Sequence, residues 1–334
     1  MTLFTRFSAS QIKFSAAAIL IVSAAAAVFI LYREHPWLFR AKTEMEKQHP
    51  VCVLGVSEPT SVISGSTAGI RNIFINWKTS FPAAAVKTIR ATGAVPLITW
   101  EIYLEDIRHD NILPAIVEGK YDGYIARFAR QSGAAPLFIR LGHEPNSDWY
   151  GWSGTNANPE LYVKAFRRVR KIFSGQGSKN IKFIFSVNAE DVPDKAWNRF
   201  ENYYPGDEYA DIIGLDAYNW GNGGKPWEKW RNPYKMLGSA YERAVKAFPS
   251  KPIFLTETAS CSDGGDKARW IGQLLGAMDG RFPAVKAIVW FNFKKGCDWT
   301  LSTDEMRYRF YGSCGTGRIE CSGKGLEWIF TEKQ

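Results

Sequence analysis

Residues Pro136 to Trp152 read PLFIRLGHEPNSDWYGW. Leu137, Phe138 and Ile139 form an apolar run, and Pro136 fits only at the start of a strand. Arg140 interrupts the run, and His143, Glu144, Asn146 and Asp148 follow it. Trp149, Tyr150 and Trp152 close the stretch. A buried strand with this ending carries the parts of a site. One carboxyl can give or take a proton, and flat rings beside it can stack on a ligand. Read alone, the stretch is also compatible with a polar loop after a core strand, with tryptophans used for packing.

The rest of the chain repeats that strand. From Val51 onward eight short apolar runs recur: Val51–Val56, Asn72–Trp77, Val95–Trp100, Leu137–Leu141, Ile181–Val187, Asp211–Leu215, Ile253–Thr256 and Val285–Phe291. Most are continuous in Val, Ile, Leu and Phe rather than alternating, which marks strands buried on both faces of a parallel sheet. Helical patterns lie between them. Ser80 with Pro82 opens one that Gly93 ends, Tyr121 to Ser132 is another, and Asn158 with Pro159 starts a third. In that third helix Leu161, Ala165, Val169 and Ile172 keep helical spacing. Pro233 to Phe248 and Lys267 to Phe282 supply two more. Strand alternating with helix predicts the α/β class and a (β/α)8 TIM barrel over residues 51–334. Ser57 to Arg71 reads as a loop.

In such barrels the site lies at the carboxyl ends of the strands. Strand two ends in Trp77, strand three in Trp100 and Glu101, and strand four in Arg140, His143 and Glu144. Strand five ends in Asn188, strand six in Asp216, Tyr218 and Trp220, strand seven in Glu257, and strand eight in Trp290 and Asn292. Glu144 and Glu257 therefore face each other across the barrel mouth. A retaining glycosidase needs two carboxyl groups roughly 5 Å apart, one to protonate the leaving oxygen and one to attack the anomeric carbon. The pair is far more specific than either glutamate alone. A single Glu in KPIFLTET would ordinarily be a solvated strand end.

RLGHEPNSDWYGW resembles the acid/base motif of glycoside hydrolase family 26, in which a His-Glu pair ends strand four. KPIFLTETAS is similar to that family's nucleophile strand. The resemblance extends to ADIIGLDAYNWG, AIVWFN and CDWTLSTDE, and covers Val51 to Tyr311. It implies retaining hydrolysis of β-linked polysaccharide, most often β-1,4-mannan, with mixed-linkage glucan and β-1,3-xylan as minority substrates. Asn146-Ser147-Asp148 stands where mannanases usually carry Asn-Gly, and the segment after Gly312 matches no motif of the family.

The resemblance implies roles. Glu144 is the general acid/base and Glu257 the nucleophile. Tyr218 is the strand-six tyrosine that hydrogen-bonds the nucleophile. His143 orients Glu144 or touches the sugar. Trp149 and Trp290 are the stacking platforms. Arg140 and Asp216 touch substrate or pair with each other at buried strand ends. Glu101, Asn188, Trp100, Trp152 and Trp220 are further substrate-binding residues. This chemistry requires no cofactor and no metal. A glycan-binding barrel without catalysis is the alternative from another class, and the presence of both glutamates argues against it.

Composition agrees with a globular domain, at 46% hydrophobic and 22% charged residues. The net charge of +9 comes from scattered residues, without a basic tract interleaved with aromatics, which excludes a nucleic-acid interface. An acidic polysaccharide or an anionic membrane surface remains compatible with it. Four of the five cysteines, Cys261, Cys297, Cys314 and Cys321, fall in loop-like sequence of the last quarter. No two form a CxxC pair, so disulfides in an oxidising compartment are expected rather than zinc. The expected bridges are Cys261–Cys297, joining the loops after strands seven and eight, and Cys314–Cys321, with Cys297 paired to Cys314 or Cys321 as the alternative. Cys52, among valines and leucine, is expected as a buried free thiol.

Before the barrel, residues 1–13 carry basic residues only, and Phe14 to Tyr32 is an uncharged apolar run about one bilayer long. Ala24 to Ala27 offers a signal-peptide cleavage site, but apolar residues continue through Leu31, which favours an uncleaved transmembrane anchor. Residues 33–50 read as a stalk. The expected arrangement is a membrane-anchored protein with its catalytic domain exported, periplasmic or extracellular, or else a secreted one. Its expected partners are a β-linked polysaccharide and the membrane, with an exopolysaccharide assembly machinery as a further candidate.

Overall fold

The computed structural model of the chain describes residues 44–59, 67–223 and 228–331. The apolar run Phe14 to Tyr32 lies outside them. Among the described residues no helix is long and apolar enough to cross a membrane.

The chain passes through α1 (Glu44–Gln48), β1 (Cys52–Ser57), β2 (Ile70–Asn76), α2 (Ala83–Ala91) and β3 (Val95–Glu101). It continues through α3 (Leu113–Val117), α4 (Asp122–Ser132), β4 (Leu137–Leu141), α5 (Pro159–Gly175) and β5 (Ile181–Asn188). Then come β6 (Ile212–Asn219), α6 (Pro233–Ala247), β7 (Ile253–Ser260), α7 (Lys267–Gly280) and β8 (Val285–Phe291). The last elements are α8 (Asp304–Tyr311), β9 (Ile319–Glu320) and α9 (Glu327–Thr331). All neighbouring strands from β1 to β8 pair in parallel, and β8 pairs with β1 to close the barrel. The expected (β/α)8 barrel is therefore present. The alternation is less regular than expected. Two 3-10 turns, Ala196–Asn198 and Phe200–Tyr203, replace a helix between β5 and β6, and the described part of the β1–β2 connection has none.

Local chemistry sets the helix starts. Asn158 and Asn232 each precede a proline at the first helical position, and each side chain accepts the backbone N–H three residues on. The buried face of α5 comprises Tyr162, Ala165, Phe166, Val169 and Phe173. Leu161 and Ile172, expected on that face, are half-buried at its margin.

Side chains alternate between two cores. Leu54, Ile73, Ile98, Ile139 and Phe183 point outward into the layer packed by the helices. Val53, Ile70, Leu97, Phe138, Ile184, Ile212, Phe254 and Ala287 fill the barrel's lower interior. The segment after Gly312 closes that end. Leu326 and Ile329 join the interior cluster, and Phe330 lies 5.0 Å from Phe138 between ring centroids. β9 extends the sheet by pairing with β1. The end of the expected stalk packs on the same side, where His49 stacks on Trp328 at 3.8 Å.

Above the apolar floor the inward positions turn polar. Asn72 donates to Ser57 at 2.9 Å, and Thr99 donates to Asn72 at 2.8 Å. Arg140 donates to Thr99 at 3.3 Å and to Ser186 at 2.9 Å. Ser186 donates to Asp216 at 3.0 Å, and Thr256 donates to the other oxygen of Asp216 at 2.7 Å. One hydrogen-bonded belt thus runs from β1 to β7, with its members buried and satisfied. The site stands on this belt.

Candidate active site

Glu144 and Glu257 reach the barrel mouth by two different backbone irregularities. Glu144 follows β4 with φ +51°, the one non-glycine residue with positive φ among the described residues. This left-handed conformation is costly for a side chain that is not Asn or Asp. It is held from both sides. The Glu144 N–H donates to the Ser186 carbonyl at 2.9 Å, and the Ser147 hydroxyl donates to the Glu144 carbonyl at 2.7 Å. Gly142, with φ +52°, prepares the turn. On β7 the register slips. Leu255 pairs with Leu215, but Glu257 pairs with Asp216, so Thr256 is an extra residue. Such a bulge re-aims side chains. Here it lets two consecutive residues both point inward, Thr256 to Asp216 and Glu257 to Arg140.

The two carboxyls have different environments. Arg140 donates to Oε1 of Glu257, and Tyr218 donates to Oε2 at 2.5 Å. Glu144 receives one side-chain donor, the indole N–H of Trp149 at 2.8 Å from Oε2. Burial raises the Glu144 pKa well above the ordinary glutamate value, and the negative charges of Asp216 and Glu257 add to the rise. Arg140 and the Trp149 hydrogen bond oppose it. Both glutamates are 6% exposed, so each shows only an edge to the mouth.

Arg140 sits beneath them with no exposure, ion-paired to both Asp216 and Glu257. Asp216 is equally buried, and burial pushes its pKa up to about 6 against the pull of Arg140. Neither group is open to a ligand in the mouth. The expected substrate contacts by Arg140 and Asp216 therefore give way to the pairing alternative. His143 does not touch the Glu144 carboxyl. Its Nε2 meets the Tyr150 hydroxyl at 2.8 Å, and Nδ1 has no hydrogen-bond partner among the described residues. Burial, followed by the nearby charges of Arg140 and Lys295, depresses its pKa well below the usual histidine value. The shift favours the neutral imidazole.

The tryptophans divide sharply. Trp149 is half-buried beside Glu144, and Trp220 lies at the rim edge-on to Trp299 at 4.7 Å. Glu101 and Asn188 are partly exposed at the ends of β3 and β5. Burial and the charge of Glu257 push Glu101 up to about 7. Three expected platforms are misplaced. Trp290 is fully buried, donates to the Trp299 carbonyl at 2.9 Å and packs against Trp270 and Phe310 outside the barrel. Trp100 is fully buried between Trp77 and Phe128 under the helices. Trp152 is fully buried, donates to the His143 carbonyl at 2.8 Å and stacks on Tyr150 at 4.4 Å. Strand parity explains the first two: Val289 and Thr99 face inward, so their neighbours Trp290 and Trp100 face out. The same parity turns Phe291 inward, where it meets Tyr218 at 5.9 Å and Phe74 at 6.2 Å. Phe291, Phe74 and Trp299, which lies 4.9 Å from Tyr218, complete an aromatic wall that strand ends alone did not indicate.

Both expected disulfides are present. Cys261–Cys297 joins the loops after β7 and β8, and Cys314–Cys321 closes a turn before the floor segment. Cys52 is a buried free thiol whose pKa burial pushes up to about 12.

Residues 121–239 match the family model described as glycosyl hydrolase family 26. Endoglucanase H of Acetivibrio thermocellus is 33% identical over 252 residues, covering 72% of this chain and 27% of that protein. A mannan endo-1,4-beta-mannosidase of Bacillus subtilis is 29% identical over 201 residues, covering 55% of this chain and 50% of that protein. The chain thus spans half or less of the length of these two relatives. Among solved structures, a family 26 beta-mannanase from Bacteroides ovatus matches with a TM-score of 0.63 at 17% identity. That match covers 89% of this chain and 96% of the other, and at this identity it speaks for the fold. Through residues 121–239 the chain is similar to glycosyl hydrolase family 26.

Proposed function

We propose that the chain is a retaining, endo-acting glycoside hydrolase of β-linked polysaccharide, β-1,4-mannan by preference, working by double displacement. Glu257 attacks the anomeric carbon while Glu144 protonates the glycosidic oxygen; Glu144 then takes a proton from the water that releases the sugar. One observation carries the reading: the two carboxyls are differently hydrogen-bonded. Two donors hold Glu257 in one orientation, and burial beside two carboxylates raises the Glu144 pKa, which favours its protonated form. Once Glu257 is glycosylated its charge is gone. One of the causes that raise the Glu144 pKa disappears with it, and Glu144 is then better suited to act as a base. Glu257→Ala should abolish turnover of mannan while glycan binding persists. Glu144→Ala should slow turnover severely, least for substrates with good leaving groups, and azide should rescue it. Full activity in Glu257→Ala would end the reading.

Hydrolysis of a β-glucan is the second reading. It is favoured by the endoglucanase match, which is both longer and more identical than the mannosidase match. Initial rates on mannan, glucomannan and mixed-linkage glucan separate the two. We further propose export of the domain on an uncleaved membrane anchor at Phe14 to Tyr32, supported by that apolar run and by two disulfides. A mature N-terminus near Val28 would contradict the anchor.

A further inference from the structure

The loop between β5 and β6 lies on the same rim as the site, because it leaves the carboxyl end of a barrel strand. It is bound to the loop that carries Glu144. Asn146, two residues past Glu144, donates to the Asn188 carbonyl and to Asp191, each at 2.9 Å. Its own carbonyl accepts from the Val192 N–H and from the Asn198 side chain, again each at 2.9 Å. Asn146 and Asn198 are fully buried. The two loops therefore form one rigid piece.

Trp197 stands on that piece and is 45% exposed, the most exposed tryptophan among the described residues. A lone exposed apolar side chain is ordinary on a protein surface. Two features set this one apart. First, its ring is seated. A Cβ added at Gly154 would lie 2.9 Å from Cζ3 of Trp197 and 1.7 Å from the Tyr203 hydroxyl, so only glycine leaves room for the indole. Second, the seat belongs to the acid loop: the Gly154 N–H donates to the carbonyl of Pro145, the neighbour of Glu144, at 2.9 Å. An indole with a rigid backing and an open face costs little conformational entropy when a ligand lands on it.

We propose that Trp197 is a stacking platform for a sugar of the β-glycan chain on the leaving-group side of the cleaved bond. The proposal rests on the hydrolase reading above. Glu144 gives its proton to the oxygen that departs with the leaving sugar, so the leaving chain passes over Glu144 and its loop. Trp149, bonded to Glu144, meets that chain first. Trp197, on the β5–β6 loop bonded to the Glu144 loop, meets a later sugar. The apolar face of a pyranose, lined with C–H groups, matches the indole face.

The test compares two substrates with Trp197→Ala and Trp197→Phe. One substrate is polymeric glucomannan. The other is an aryl β-oligoglycoside, whose aryl leaving group ends before Trp197. Trp197→Ala should lower kcat/KM on the polymer about tenfold, equivalent to ~1.4 kcal/mol, mainly through KM. It should lower the ratio of polymer to aryl kcat/KM by the same factor. Trp197→Phe should retain most of the polymer rate. An equal loss on both substrates would mark a structural role and overturn the proposal, as would no loss on the polymer. If the parent cleaves neither substrate, the hydrolase reading fails by itself. Calorimetry with mannohexaose and glucohexaose then decides the platform: the same Kd in the parent and Trp197→Ala overturns it, and a several-fold weaker Kd in the variant supports it.

Discussion

The Tyr218 hydroxyl donates to Oε2 of Glu257 at 2.5 Å while Arg140 donates to Oε1 of the same carboxylate. One donor comes from β6 and the other from β4, so two strands jointly aim a side chain carried by β7. Tyr218→Phe removes one donor and keeps the ring against Phe291 and Trp299. We expect kcat to fall about 10- to 100-fold with KM nearly unchanged, the signature of a positioning interaction. Steady-state kinetics on a soluble glycan read both constants.

Arg140 also holds the belt beneath the site together. Arg140→Met leaves Asp216 and Glu257 as uncompensated buried charges. Breaking one partner of such a cluster costs about 3–5 kcal/mol. Urea unfolding should register that loss, and the variant should be inactive even where it remains folded.

The Trp149 hydrogen bond lowers the Glu144 pKa against the larger upward push of burial. Glu144 must be protonated to act as the acid. Activity should therefore persist above the ordinary glutamate pKa and fall as pH rises through the elevated Glu144 value. Trp149→Phe removes the lowering contribution, so the alkaline limb of kcat/KM should move to higher pH. A limb that moves down or stays fixed argues against Glu144 as its source.

The Cys261–Cys297 bridge spans 36 residues of sequence. Closing a loop of this size is worth roughly 3–4 kcal/mol on chain-entropy grounds. Two residues beyond Cys297, Trp299 packs on Tyr218, so the bridge also steadies the wall beside Glu257. In the double Cys→Ser variant, activity should decline at temperatures where far-UV circular dichroism is still native. Simultaneous loss of both signals would limit the bridge to a global role.

Much of this was legible in the sequence for a physical reason. Strands buried on both faces write continuous Val, Ile, Leu and Phe runs, and the carboxyl ends of those runs point to Glu144, Glu257 and Tyr218. What could not be read depends on direction. Trp290 and Trp100 sit at strand ends and look like platforms, but one residue of parity sends them outward, and the same parity brings Phe291 in. Parity fails in its turn at Thr256 and Glu257, where the bulge turns neighbours to the same side. Alternation cannot foresee that. The belt was written in plain view as Ser57, Asn72, Thr99 and Ser186, polar residues at alternate positions of apolar strands. The segment after Gly312 carries no motif because its work is packing: Leu326 and Ile329 close the barrel floor.

Double displacement through Glu257 is the centre of the account, and product stereochemistry tests it most directly. Proton NMR of the reducing-end anomeric signal, recorded in the first minutes of hydrolysis by the wild-type chain, reads the configuration before mutarotation. The account predicts that the β-anomer appears first, with the configuration of the cleaved bond retained. First appearance of the α-anomer would mean a single displacement by water and would remove Glu257 from the role of nucleophile.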